Sequence, residues 1–200
     1  GESQLTDPDD IVKQAVSFKP FFGKRGGITF SGGEPTVQAE ALLPLFKKLH
    51  AEGIHICVDS NGAIWNKHVE ALWRETDLVM LDVKEINEER HKYITGRSNA
   101  QTLRTAQWFE ENERPFWLRY VLVPGVSNFD EDLCSLGEHF KDYKMLQRVE
   151  LLPYHTLGVH KYEALGWEYK LKDVPVNTDE QKKQAETLLR KYFGEKLIVN

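Results

Sequence analysis

Five short apolar runs are spaced along the chain, at residues 28–31, 54–59, 78–84, 116–123 and 149–152, and each closes in polar or turn-forming residues. Between them lie longer stretches whose apolar positions recur three and four apart, the period of an amphipathic helix. Residues 38–51 place Leu42, Leu45, Phe46 and Leu49 on one stripe, with Gly53 as the stop. Pro44 fits that helix only near its start or as a kink. Thr6, Asp7 and Pro8 supply a cap and a first-turn proline for a helix through about Phe22. Asn66 is placed to cap a helix through Glu75, and another helical stretch covers 99–113. Asn128 with Glu131 predicts a capping-box start for a helix to Lys144, and Thr178 with Gln181 starts a last amphipathic helix. Residues 196–199 read as a final short strand. Near-continuous apolar strands alternating with such helices predict a parallel sheet covered by helices, hence an α/β fold. Periodicity leaves open a doubly wound sheet or part of a β/α barrel.

Two hundred residues suit one domain with a real core, and the apolar fraction with five Trp argues against disorder. A net charge of −5 gives no reason to expect nucleic acid or an anionic membrane as partner. No apolar stretch approaches a membrane span, and no signal peptide opens the chain, whose first residues read as mid-protein sequence. Cys57 and Cys134 are widely separated, which excludes a local cysteine-rich metal or cluster site and favours a reducing cytoplasm.

The chemistry gathers where the strands end. Ile28, Thr29, Phe30 and Ser31 run into Gly32, Gly33 and Glu34, which puts bare backbone and a carboxylate at a strand's carboxyl end. Later strands end in Asp59 with Asn61, in Asp82 with Lys84, and in His155, and Arg119 interrupts an otherwise apolar run. In both parallel architectures the carboxyl ends share one rim, where ligands bind. Asp82 and Lys84, two apart, point to the same side, as do Asp59 and Asn61. Blander readings stand beside these. Residues 59–62 have the composition of a plain turn, Asp82 and Lys84 can simply neutralise each other, and a histidine after Pro153 and Tyr154 is commonly structural. Arg119 is harder to dismiss, because a buried guanidinium needs an anionic partner. Acids for hydroxyls and an ammonium, with Lys84 and Arg119 for a carboxylate, fit a zwitterionic amino acid joined to a ribose. No glycine-rich phosphate loop, Walker lysine, metal-spaced histidine pair or nucleophile elbow is present.

Five blocks in order carry a resemblance: Gly27 to Pro35 with Gln38; Asp59 to Gly62; Leu78 to Lys84; Arg119 to Gly125; and Leu151 to Gly158. Together they resemble the radical S-adenosylmethionine (SAM) activating enzymes of glycyl-radical enzymes, the pyruvate formate-lyase activating family. The resemblance implies a partial (β/α) barrel of parallel strands with outer helices, lacking its first strand and cluster loop, as one core domain truncated at its N-terminus. Gly32, Gly33 and Glu34 match the motif for the SAM amino group. Asp82, Lys84, Arg119 and His155 match residues that hold the ribose and methionine ends or face the substrate, Arg119 and His155 being the substrate-side candidates. Asp59 matches a SAM-side acid, and Asp59, Ser60, Met80 and Asp82 match a monovalent-cation site. The family's 4Fe–4S cluster is held by Cys-x-x-x-Cys-x-x-Cys, a spacing this chain lacks, so the chain by itself is expected to be inactive. The implied partners are a glycyl-radical enzyme, pyruvate formate-lyase or a relative, and an electron donor such as flavodoxin or ferredoxin. Rival readings are an activase for another glycyl-radical enzyme, a cluster-free relative that only binds a partner or ligand, and an ordinary β/α-barrel enzyme. An isolated chain with an exposed sheet edge is also expected to tolerate dimerisation.

Overall fold

The computed structural model describes residues 6–23, 26–155, 171 and 173–199. In chain order the elements are helix α1 (Pro8–Phe18), strand β1 (Gly27–Phe30), α2 (Ala39–Ala51), β2 (His55–Ser60), α3 (Lys67–Arg74), β3 (Leu78–Asp82), α4 (Glu88–Thr95), α5 (Ala100–Glu111), β4 (Phe116–Leu122), α6 (Asp130–Phe140), β5 (Leu146–Pro153), α7 (Asp179–Phe193) and β6 (Leu197–Val199). All six strands are parallel and lie side by side in chain order. That order excludes the doubly wound alternative, which reverses direction at a switch point. It is the arrangement of a partial β/α barrel, with the sheet open rather than closed.

One-way winding decides which side of the sheet is covered. Parallel crossovers are right-handed, so connections that all step the same way put their helices on the same face. Alternate strand residues record this. Val58, Val79, Leu81, Phe116, Leu118, Tyr120, Leu122, Val149 and Leu151 are buried in the main core. Their neighbours Asp59, Met80, Asp82, Trp117, Arg119, Arg148 and Glu150 are only half-buried, on the opposite face.

Local signals were mostly obeyed. Asp7 caps α1 through Asp9 N–H at 2.8 Å, but the α-helix stops at Phe18 and a 3-10 turn at Lys19–Phe21 finishes it. Asn66 caps α3 by accepting from His68 and Val69. Thr178 and Gln181 form the reciprocal capping box of α7. Pro44 lies inside α2, in its second turn on the exposed side, where the carbonyl that loses its donor can reach water. One cap differs from expectation. Phe129 occupies the N-cap of α6, while Asn128 turns back to accept the N–H of Gly125 at 2.7 Å, and α6 ends at Phe140 rather than Lys144.

A histidine ties two layers together at the start of β3. His50, in the last turn of α2, reaches Asp77 at 3.0 Å and Glu75 at 3.3 Å, and Asp77 also accepts the N–H of Ile56 at 2.7 Å. Burial pulls the His50 pKa down, but bonds and charge from Asp77, then Glu75, outweigh it and leave the pKa above its ordinary value. A raised folded-state value means stability that is full below about pH 6.5 and lost as pH rises through the folded pKa. The urea midpoint of the wild-type chain should therefore fall more than that of His50→Gln between about pH 6 and pH 8. Parallel pH curves for the two proteins would refute the assignment.

Candidate functional site

β1 ends at Phe30, and the loop that follows presents backbone rather than side chains. Gly32 has φ +115°, a conformation that a side chain disfavours, and a Cβ added at Gly32 or Gly33 would meet nothing within 4 Å. Glu34 then caps the 3-10 turn Pro35–Gln38. Its Oε1 accepts Thr36 N–H at 3.1 Å, Thr36 Oγ1 at 2.7 Å and Ser60 Oγ at 2.8 Å, and its Oε2 accepts Asn61 N–H at 2.9 Å. The sequence reads Glu34 as a charge suited to an ammonium or a hydroxyl. In this structure the carboxylate ties the end of β1 to the end of β2, and the glycine backbone beside it is open.

Next to this loop the sheet face opposite the described helices carries a chain of ion pairs. Register aligns Asp82 of β3 with Arg119 of β4, and Arg119 with Glu150 of β5. Arg119 reaches past β3 to bond Asp59 Oδ2 at 3.0 Å, and its Nε lies 3.6 Å from Glu150 Oε2. Glu150 also pairs with Arg148 at 3.3 Å, and Arg148 lies over the Trp117 ring at 3.9 Å. Lys84 bonds Asp82 at 2.7 Å. Arg119 thus bonds one anionic partner, Asp59, and lies near a second, Glu150, while its buried Nε has no hydrogen-bond partner among the described residues. Asp82 and Lys84 do point to one side. Burial pushes the Asp59 carboxyl above its ordinary range; Arg119 opposes that, and the nearby Asp82 charge reinforces it. These acids and bases balance, so a charged ligand entering here exchanges partners rather than filling an empty field.

Other expected residues fall differently. Cys57 is buried opposite Thr29, with its thiol pushed up to about 11 mainly by burial, which suits a packing role. Asn61 uses its side chain to accept Ala63 N–H at 2.9 Å, so the turn reading holds for it. His155 is exposed just past β5, and among the described residues no hydrogen bond or ion pair joins it to the rim. Thr156, Leu157 and Gly158 of the last sequence block lie outside the described residues. Among the described residues no group of three or more His, Cys, Asp or Glu side chains is placed to hold a metal ion.

Trp117, Arg148 and Glu150 went unremarked in the sequence. The signal was there: Arg148, Val149, Glu150 and Leu151 alternate polar with apolar, the period of a strand with one open face. Glu85 and Tyr120 were missed as well, hidden beside Lys84 and Arg119.

The sequence pattern of the Radical SAM superfamily matches residues 1–136. The chain is 40% identical over 184 residues to a pyruvate formate-lyase-activating enzyme of Staphylococcus epidermidis, covering 88% of this chain and 73% of that protein. It is 43% identical over 186 residues to one from Streptococcus mutans, covering 90% and 71%. In fold it is similar to a domain of a pyruvate-formate lyase-activating enzyme from Bacteroides vulgatus, with TM-score 0.72 and 23% identity over 87% of this chain and 98% of that one. Streptococcus suis SuiB bound to S-adenosylmethionine superposes with TM-score 0.74 at 12% identity, covering all of this chain and 45% of that one.

Glu34→Ala would leave the buried Ser60 hydroxyl and the N–H groups of Thr36 and Asn61 without their acceptor. Hydrogen bonds to charged groups contribute about 1.5–3 kcal/mol each, so a loss of about 3 kcal/mol or more is expected in chemical denaturation, with Glu34→Gln losing less. A loss below about 1 kcal/mol would show that the carboxylate is not the tie between β1 and β2.

Proposed function

The chain belongs to the radical SAM superfamily and, within it, to the pyruvate formate-lyase-activating enzymes, and from that premise we propose that residues 1–200 form a single core domain that holds S-adenosylmethionine across the ends of β1 to β4. The observation that carries the reading is one rim combining an open glycine pair with the Asp82–Lys84 and Asp59–Arg119 pairs. Because Glu34 is committed to its four donors, the ligand's ammonium would be met by main-chain carbonyls of the Gly32–Gly33 segment. Lys84, more exposed than Arg119, would take the ligand carboxylate, with Asp82 released toward ribose hydroxyls. Asp59 would stay with Arg119 and fix its direction. A monovalent cation beside the ligand, near Ser60 and Met80, would relieve the repulsion between Asp59 and Asp82. His155 would face the substrate.

Reductive cleavage of bound SAM would supply the hydrogen-abstracting radical that is directed at a glycine of pyruvate formate-lyase. The residues of this chain do not fit the cluster that such cleavage needs. A 4Fe–4S centre takes cysteine thiolates, whereas Cys57 is buried in β2 with a raised pKa and Cys134 lies on α6. The cluster ligands must therefore come from outside residues 1–200, and these residues alone would bind SAM without cleaving it.

Titration calorimetry with SAM tests the reading. Saturable binding is expected, weakened about tenfold, or about 1.4 kcal/mol, in Lys84→Met. No binding at millimolar SAM, or equal binding by the variant, would overturn the assignment of this rim.

A further inference from the structure

Glu85 is a buried carboxyl for which the proposed SAM site has no use. It follows Lys84 directly and has no exposed surface. Its Oε1 accepts Asn87 N–H at 2.9 Å, and its main-chain carbonyl accepts from the Asn99 side chain at 3.1 Å. Its Oε2 lies 3.1 Å from the hydroxyl of Tyr120, the residue after Arg119. That hydroxyl is also 3.0 Å from the carbonyl oxygen of Ser127, which is buried too.

The hydrogens must be counted. A phenol carries one hydrogen, and both neighbours of the Tyr120 oxygen are acceptors if Glu85 is ionised. Given to Ser127, that hydrogen leaves two oxygens 3.1 Å apart with nothing between them; given to Glu85, it leaves the buried Ser127 carbonyl facing a lone pair. Both contacts are hydrogen bonds at once only when Glu85 is a carboxylic acid that donates to Tyr120, while Tyr120 donates to Ser127. The surrounding charges agree. Asp132 on α6 adds negative charge and is itself held by Arg90 of α4 at 2.5 Å, Arg90 also binds Glu131, and Lys84 is turned to Asp82. Burial, aided by the Asp132 charge, pushes the Glu85 carboxyl up to about 7 against the lowering effect of bonds from the Asn87 and Ile86 N–H groups and Tyr120. Burial also pushes the Tyr120 hydroxyl well above its ordinary value.

We propose that Glu85 is a neutral positioning acid that closes a Glu85–Tyr120–Ser127 hydrogen-bond chain and so fixes the two strand ends carrying Lys84 and Arg119. The coupling is short. Val83 N–H bonds the Arg119 carbonyl at 3.0 Å, and Ser127 closes the turn after β4 through Val123 N–H at 2.8 Å and the Val121 carbonyl at 2.7 Å. When Glu85 releases its proton to water, the Tyr120 hydrogen turns to the carboxylate. The Ser127 carbonyl then loses its donor, and the turn loosens. A carboxyl whose folded pKa lies above its ordinary 4.5 contributes stability that is full below about pH 4.5 and lost as pH rises to about 7.

What the two strand ends hold rests on the SAM reading, whereas the protonation of Glu85 does not, and the test separates them. In the full chain labelled with 13C at glutamate side-chain carboxyls, one resonance should titrate near neutrality, vanish in Glu85→Gln and move in Tyr120→Phe. If every glutamate titrates in the ordinary carboxylate range, the neutral acid is refuted. In calorimetry, wild-type SAM affinity should fall several-fold across that same titration, while Glu85→Gln, whose amide donates the same hydrogen bond, keeps the low-pH affinity throughout. Identical pH profiles in the two proteins would refute the positioning role. A chain that binds no SAM at any pH would sink the SAM reading, and the glutamate titration would still decide the state of Glu85.

Discussion

The direction in which the sheet is wound governs everything else in this molecule. Six parallel strands in chain order, joined by crossovers of one hand, put the described helices that connect them on one face. Strand side chains alternate between faces, so adjacent residues live in opposite worlds. Leu118 and Tyr120 are in the core, and Arg119 between them is on the open face. A slip of one residue in β4 would push a guanidinium into the helix layer and turn Leu118 and Tyr120 out. The burial of the core thus sets the register, and the register sets which charges meet on the rim.

The charges on the open face are assembled before any ligand arrives. Arg119 of β4 spans four adjacent strands by pairing with Asp59 of β2 and lying near Glu150 of β5. Pairs of this kind contribute little net stability, because desolvation offsets the attraction, but removing one partner leaves the other stranded. Their value here is geometric: each fixes the rotamer of the next. A zwitterion with hydroxyls can then replace existing contacts with contacts of the same sign, and the face need never hold an uncompensated charge.

Local chemistry was legible in the sequence where one residue decides it, and illegible where neighbours do. Caps at Asp7, Asn66 and Thr178 and the strand runs belong to the first kind. Strand order belongs to the second, since a doubly wound sheet and a barrel segment share the same periodicities. Helix α4 escaped notice because His91 is its one buried residue and its apolar stripe is weak, although Asn87 and left-handed Gly96 bracket it as cap and stop. Asn128 looked like a helix cap, but the turn at Gly125 claimed its side chain. Arg119 was identified as needing an anion, yet its partners Asp59 and Glu150 come from strands distant in the chain.

Three carboxylates near this rim show why residue type alone could not assign their roles. Glu34 has four donors within bonding distance and serves as a structural tie. Asp59 has one guanidinium, partial burial and a second acid nearby, so its charge is opposed but retained for pairing. Glu85 has no ion pair among the described residues, full burial and two acceptors competing for one phenolic hydrogen, and carrying its own proton satisfies them both. The number of donors that the fold delivers to each carboxylate, set against the water it removes, separates the tie, the ion-pair partner and the neutral acid. Each of those numbers follows from which strand end or turn faces the group, and so from the same one-way winding that leaves the rim open.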